Sequence, residues 1–114
     1  MSSRAEGGVA ARASVFAALG DATRLGLVDR LATGEPQPIM RLAQGTRLTR
    51  QAVTKHLRVL EQAGLVRAVR VGRETRFAIV TDPLAAARTY LDHVSRRWDD
   101  ALARLKAMVE EGEA

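Results

Sequence analysis

The sequence contains no cysteine, so disulfides, thiolate nucleophiles and thiolate metal sites are excluded, and redox chemistry gives no clue to compartment. No apolar run approaches the roughly 20 residues that a helix needs to cross a bilayer. The first twelve residues scatter charges and glycines and lack the uninterrupted apolar stretch of a signal peptide. Retention in the cytoplasm, with no membrane partner, is the expectation. There is no internal repeat, low-complexity stretch or interdomain linker. No Ser-His-Asp set, paired-carboxylate site or glycine-rich phosphate loop stands out either. A protein without enzymatic activity and without a cofactor is expected.

What is present fits one small folding unit: 114 residues, 46% hydrophobic, enough for one modest core. The formal charge is +5, and it is unevenly placed. Arg41 to Arg76 holds nine basic residues against Glu61 and Glu74, a net of +7, while the rest of the chain sums to −2. A local basic footprint of this kind is what an electrostatic docking face for a polyanion needs.

Residues 1–8 read as a flexible tail and 9–111 as the domain. Val9, Ala13, Phe16, Ala17 and Leu19 predict a short first helix closed by Gly20. Asp21 suits the N-cap of a second, with Leu25, Val28, Leu31 and Ala32 at helical spacing until Gly34, Pro36 and Pro38 intervene. Pro38 fits the first turn of a third helix that carries Ile39, Leu42 and Ala43 and stops at Gly45. Thr49 then caps a fourth helix through about Ala63, with Gly64 past its end.

From Leu65 the pattern turns to β-branched residues, in Val66 to Val71 and Glu74 to Val80, with Gly72-Arg73 as a two-residue hairpin turn. That turn sets Val66 opposite Ile79 and Ala68 opposite Phe77 on a packing face, with Arg67, Val69, Glu74 and Arg76 on the other. Pro83 opens a long helix to about Glu111. The expected fold is mainly α with a β-hairpin wing, order ααααββα: a winged helix-turn-helix. Its helix-turn-helix spans about 38–63, its wing about 66–80 and its last helix about 83–111.

On the fourth helix, Val53, Leu57 and Leu60 recur at i, i+4, i+7 and predict the buried stripe. Gln51, Thr54, Lys55 and Arg58 then face outward, with Arg50 on the shoulder in the first turn. Arg bridges the two guanine acceptors of the major groove, Gln pairs with adenine, and Thr and Lys bond bases or phosphates. Arg70, Arg73 and Arg76 cluster around the hairpin turn, within reach of backbone phosphate or a minor groove. A basic face or a charged hairpin tip alone is commonplace; the two in succession point to double-stranded DNA.

The segment Leu48 to Val66, with Thr54-Lys55-His56-Leu57-Arg58-Val59-Leu60-Glu61 at its centre, is followed by Val71-Gly72-Arg73-Glu74 and preceded by Ala18-Leu19-Gly20-Asp21-Ala22-Thr23-Arg24. Together these closely resemble the ArsR-type family of bacterial winged-helix repressors, over roughly residues 10 to 108. The resemblance implies a dimer that occupies an operator and represses nearby genes. It puts Thr49, Arg50, Gln51, Thr54 and Lys55 in the recognition helix, His56 at its edge, and Arg70, Arg73 and Arg76 in the wing. By helical angle His56 falls between the buried and exposed stripes, where a half-buried histidine donates to backbone or phosphate.

Leu84, Ala87, Leu91, Val94, Trp98, Ala101, Leu105 and Met108 follow strict 3-4 spacing along the last helix, a seam of the kind used between paired helices. At 1.5 Å per residue this helix is about 43 Å long, against a radius of gyration near 13 Å for about 100 compact residues. It outruns its own domain. A homodimer is therefore expected through Leu84, Leu91, Val94, Trp98, Leu105 and Met108, with Phe16 of the first helix beside them. Its two-fold axis calls for an inverted-repeat operator with half-sites about 34 Å apart.

Many proteins of the family resembled release DNA on binding metal, through cysteines before the recognition helix or Asp/His sets on the last helix. Here the first location reads Ile39-Met40-Arg41-Leu42, and the second offers Asp92-His93 and Asp99-Asp100. Adjacent residues point in different directions where a convergent set needs i, i+4. No metal is expected, and the inducer, a small molecule or a protein, stays open. The competing readings are a winged-helix protein-interaction module and a non-specific DNA-coating protein.

Overall fold

The computed structural model describes residues 3–112. The order is α1 (Ser3–Leu19), α2 (Ala22–Leu31), β1 (Gln37–Pro38), α3 (Ile39–Ala43), α4 (Arg50–Gln62), β2 (Val66–Val71), β3 (Glu74–Ile79) and α5 (Asp82–Gly112). Helix, turn and helix are followed by an antiparallel ribbon and a closing helix, which is a winged helix-turn-helix. Of the expected tail, residues 1 and 2 lie outside the described residues, but from Ser3 the backbone is already helical. Arg4, Ala5 and Glu6 are strong helix formers, and extending a helix costs less than nucleating one.

The caps act as the side chains dictate. Asp21 accepts from the Arg24 backbone N–H at 3.0 Å at the start of α2. Thr49 Oγ1 accepts from Ala52 N–H at 3.1 Å at the start of α4. Each contact satisfies one of the four donors that a helix leaves free at its N-terminus. Pro38 is not in the first turn of α3, where the sequence put it, but one position earlier, in extended conformation. There it pairs with the ribbon: Gln37 lies opposite Phe77 and Pro38 opposite Arg76, so the sheet has three strands in the order β1-β3-β2.

Val53, Leu57 and Leu60 are fully buried beneath α4, and Leu31, Leu42, Leu65 and Val66 complete the centre of the core. Burial of one such side chain stabilises by about 1.5–3 kcal/mol relative to exposure. The hairpin has the register its turn requires, Val66 with Ile79 and Ala68 with Phe77, with Gly72 at φ 63°. Packing is confined to the root of the ribbon, however. Val66, Phe77 and Ala78 are buried, while Ala68, assigned to the packing face, is exposed.

The end of α4 is closed by Gly64, at φ 78°. Its N–H donates to the Glu61 carbonyl at 2.9 Å, and the next N–H, of Leu65, donates to the Leu60 carbonyl at 2.9 Å. This pair of reversed bonds with a left-handed glycine is a Schellman motif, and the buried Leu65 is its apolar clasp. Leu65 also accepts at 2.8 Å from Val80 N–H at the far end of the ribbon.

Only the first turns of α5 belong to the core: Ala87 is buried, and Leu84 packs against the same cluster. Beyond them the helix runs out from the globule, and the chain measures 73 × 39 × 22 Å with a radius of gyration of 19.6 Å. Helix α1 lies against its base, with Phe16 and Tyr90 ring centroids 5.8 Å apart and the Arg12 guanidinium 4.7 Å over the Tyr90 ring.

Candidate nucleic-acid interface

Helix α4 presents Arg50, Gln51, Lys55 and Arg58 to solvent, opposite its buried stripe. Thr54 is half-buried, and its hydroxyl donates to the Arg50 carbonyl at 2.8 Å, so part of its bonding capacity is satisfied within the helix. These five side chains line one wall of an open cleft of about 610 Å³, bounded elsewhere by Pro38, Ile39 and Met40 of the β1–α3 segment and by Glu74 of the wing. Thr49 stands exposed at the head of the helix, its hydroxyl committed to the cap.

Strand register divides the three wing arginines. Val69 pairs with Arg76 and Val71 with Glu74, so Arg76 and Glu74 share one face, whereas Arg70, opposite Thr75, points to the other. Arg76 Nε donates to Glu74 Oε2 at 2.8 Å. Arg70 Nε donates to the Gly72 carbonyl at 3.3 Å, which folds its side chain back over the turn. Arg73 is exposed at the tip. The cluster read from the sequence is thus one tip cation with two flanking ones on opposite faces, one of them tied to an acid.

His56 stands apart from the α4 face. Half-buried, it lies 3.3 Å from Arg24 Nη1 and 3.8 Å from Asp21 Oδ2, at the junction of α1 and α2. The Arg24 backbone N–H bound to Asp21 holds that carboxyl below the usual carboxylate range, with the Arg24 charge acting in the same direction.

Sequence reasoning nominated neither Met40 nor Glu74 for this surface. Met40 is 60% exposed on α3 and walls the cleft beside the α4 residues. Its signal was available: a short helix with Ile39 and Leu42 toward the core leaves the two residues between them, Met40 and Arg41, outward. Glu74 is recoverable from the hairpin register alone.

The expected dimer residues fall in two groups. Phe16 and Leu84 are half-buried against the chain's own core. Leu91, Val94, Trp98, Leu105 and Met108 are 52%, 40%, 64%, 55% and 68% exposed along the free length of α5. Asp92, His93, Asp99 and Asp100 are exposed on the same helix, and among the described residues no three His, Asp or Glu side chains gather as a metal site. Among those residues no helix is long and apolar enough to cross a membrane.

A family model for a helix-turn-helix domain matches residues 11–69. The HTH-type transcriptional regulator Rv2034 of Mycobacterium tuberculosis is 38% identical over 93 residues, which is 82% of this chain and 83% of that protein. Among solved structures, an ArsR-like transcriptional regulator from Rhodococcus sp. RHA1 superposes with a TM-score of 0.78 at 39% identity, covering 90% of this chain and 95% of that one. The homodimeric winged helix-turn-helix DNA-binding domain of Mb0332 from Mycobacterium bovis, a possible ArsR-family regulator, gives a TM-score of 0.66 at 27% identity, covering 90% and 91%.

Proposed function

Because the chain belongs to the ArsR family of winged helix-turn-helix transcriptional regulators, we propose that it is a homodimeric repressor that reads an inverted-repeat operator through α4. The observation that carries this reading is the polar face of α4, set opposite a fully buried stripe and opening onto a cleft against the wing. Arg50 and Gln51, in the first turn, are the base-reading pair for guanine and adenine. Lys55 and Arg58 bond bases or the adjoining phosphates, Thr49 donates the hydroxyl proton that its cap leaves free, Thr54 accepts from a base amine with its remaining lone pair, and Met40 offers an apolar wall suited to a thymine methyl. Arg70, Arg73 and Arg76 contact backbone phosphate from the wing, and Arg76 must exchange Glu74 for phosphate to do so. His56, the remaining candidate, turns from this face toward Arg24.

Dimerisation runs through the exposed α5 seam, with α1 beside it. The homodimeric Mycobacterium bovis relative supports self-association. Release of DNA is proposed to be metal-independent: there is no thiol in the chain, and Asp92-His93 and Asp99-Asp100 of α5 are adjacent residues that point apart.

Binding of the purified protein to duplexes selected from a random pool tests the whole reading. Affinity should fall steeply with added salt, as counterions are released from each neutralised phosphate. Arg50→Ala or Gln51→Ala should relax base preference by about 1–3 kcal/mol, whereas Arg73→Ala should weaken all sequences alike and lower the salt slope by about one. Salt-independent binding, or none, would favour a protein-interaction module, and equal affinity for selected and random duplexes would favour a non-specific role.

A further inference from the structure

His56 follows Lys55 on α4, yet its ring turns inward to the α1–α2 junction, where Nδ1 lies 3.3 Å from Arg24 Nη1. A guanidinium only donates, so Nδ1 is the acceptor in this contact and the ring proton sits on Nε2. Arg24 is itself anchored. Its Nε donates to the Ala18 carbonyl at 2.7 Å and its Nη2 to the Ala17 carbonyl at 3.4 Å. Its backbone N–H is held by Asp21 at 3.0 Å.

The two carbonyls belong to the last turn of α1, which has no basic residue of its own there. Arg24 therefore supplies both the hydrogen bonds and the positive charge that a helix C-terminus lacks. It joins α1, the helix that carries Phe16 against Tyr90 of α5, directly to α4.

The buried stripe of α4 decides which face is inward but not its fine rotation, because apolar burial is non-directional whereas a hydrogen bond has a preferred line. A side-chain tip stands about 5–6 Å from the helix axis, so a ten-degree rotation displaces it by roughly 1 Å. A shift of that size is enough to spoil a bidentate pair with a base edge.

We propose that Arg24 is a positioning residue for base readout: anchored on the α1 carbonyls, it holds His56 and thereby fixes the rotation of α4 on which the aim of Arg50 and Gln51 depends. The proposal rests on reading α4 as the DNA-contacting helix. Arg24 and His56 act here without touching DNA.

The test uses the full chain with two probes, a duplex that the wild type selects from a random pool and a random-sequence duplex of equal length. Arg24→Met and His56→Leu should each lower the preference for the selected duplex by about tenfold, the scale of one charge-assisted hydrogen bond. The double variant should lose no more than either single one, since both remove the same link. His56→Asn, which keeps an acceptor near the Nδ1 position, should restore the preference. The salt slope of His56→Leu should match wild type.

Equal weakening of both duplexes by His56→Leu with a slope lower by about one would mean a phosphate contact and overturn the proposal. So would additive losses in the double variant, or Asn performing no better than Leu. The His56 pair of variants keeps the test decisive should Arg24→Met fail to fold. A wild type that selects no sequence would instead overturn the reading of α4 itself, and the proposal with it.

Discussion

Removing the indole of Trp98 should separate the protomers of the proposed dimer. Trp98 is 64% exposed on the free length of α5. A tryptophan hides roughly 150–250 Å² when fully buried, so roughly 100–160 Å² remains for a partner to cover. At about 25 cal/mol/Å² this is worth about 2.5–4 kcal/mol per protomer. Two-fold symmetry counts it twice. Ordering and imperfect packing at an interface absorb part of the gain, which leaves about 4–6 kcal/mol per dimer. Trp98→Ala should then raise the dimer dissociation constant by roughly three to four orders of magnitude at 1.4 kcal/mol per decade.

Sedimentation equilibrium over a concentration series measures both constants, and the wild type carries its own reporter. Trp98 is the only tryptophan, so its emission should shift to the red as dilution dissociates the dimer. A variant within tenfold of wild type, or a wild type that stays monomeric at tens of micromolar with a solvent-like emission at all concentrations, would refute the assignment of α5 as the dimer seam.

Leu57→Ala, at a fully buried position under α4, should cost about 2–5 kcal/mol of unfolding free energy, read as a lower urea midpoint with an unchanged slope. Gly64→Ala imposes a Cβ on a residue at φ 78° and should destabilise by about 1–2 kcal/mol, although the nearest side-chain atom is an ordinary 3.7 Å away. Asp21 has a folded pKa below its unfolded value, so the native state binds fewer protons. Its contribution is complete above the unfolded pKa, near 3.9, and is lost as pH falls through the folded one. Asp21→Asn keeps a cap acceptor but cannot titrate. Urea midpoints at pH 7, 5 and 3 should show the stability gap between wild type and this variant closing on acidification; a constant gap would contradict the linkage.

The parts of this molecule legible in the sequence were those written in short-range periodicity. Val53, Leu57 and Leu60 declared the buried side of α4 and, by difference, its polar face. Gly72-Arg73 set a hairpin register that the backbone reproduces, and Pro83 with the 3-4 apolar spacing announced the long α5. Features made by distant partners were not legible. Gln37–Pro38 becomes a strand only because β3 is there to pair with it, and two residues carry no periodicity of their own. The turn of His56 toward Arg24, 32 residues away in the chain, depends on how α1 and α2 pack over α4. Helical angle alone had left that ring on the boundary between inside and out. The opposed directions of Arg70 and Arg76 lay within reach of the predicted register, but grouping them by nearness to the turn concealed the alternation.

Leu65 has a mechanical consequence. It closes α4 through its N–H, roots the ribbon through its carbonyl and sits in the core through its side chain. No slack segment separates α4 from the wing, so in the proposed reading of DNA the two act as a single stiff tool. A signal that acts on such a protein has little purchase on the angle between helix and ribbon. In the proposed dimer the adjustable quantity is the span between two such tools, set by the long helix held at its base by a few turns.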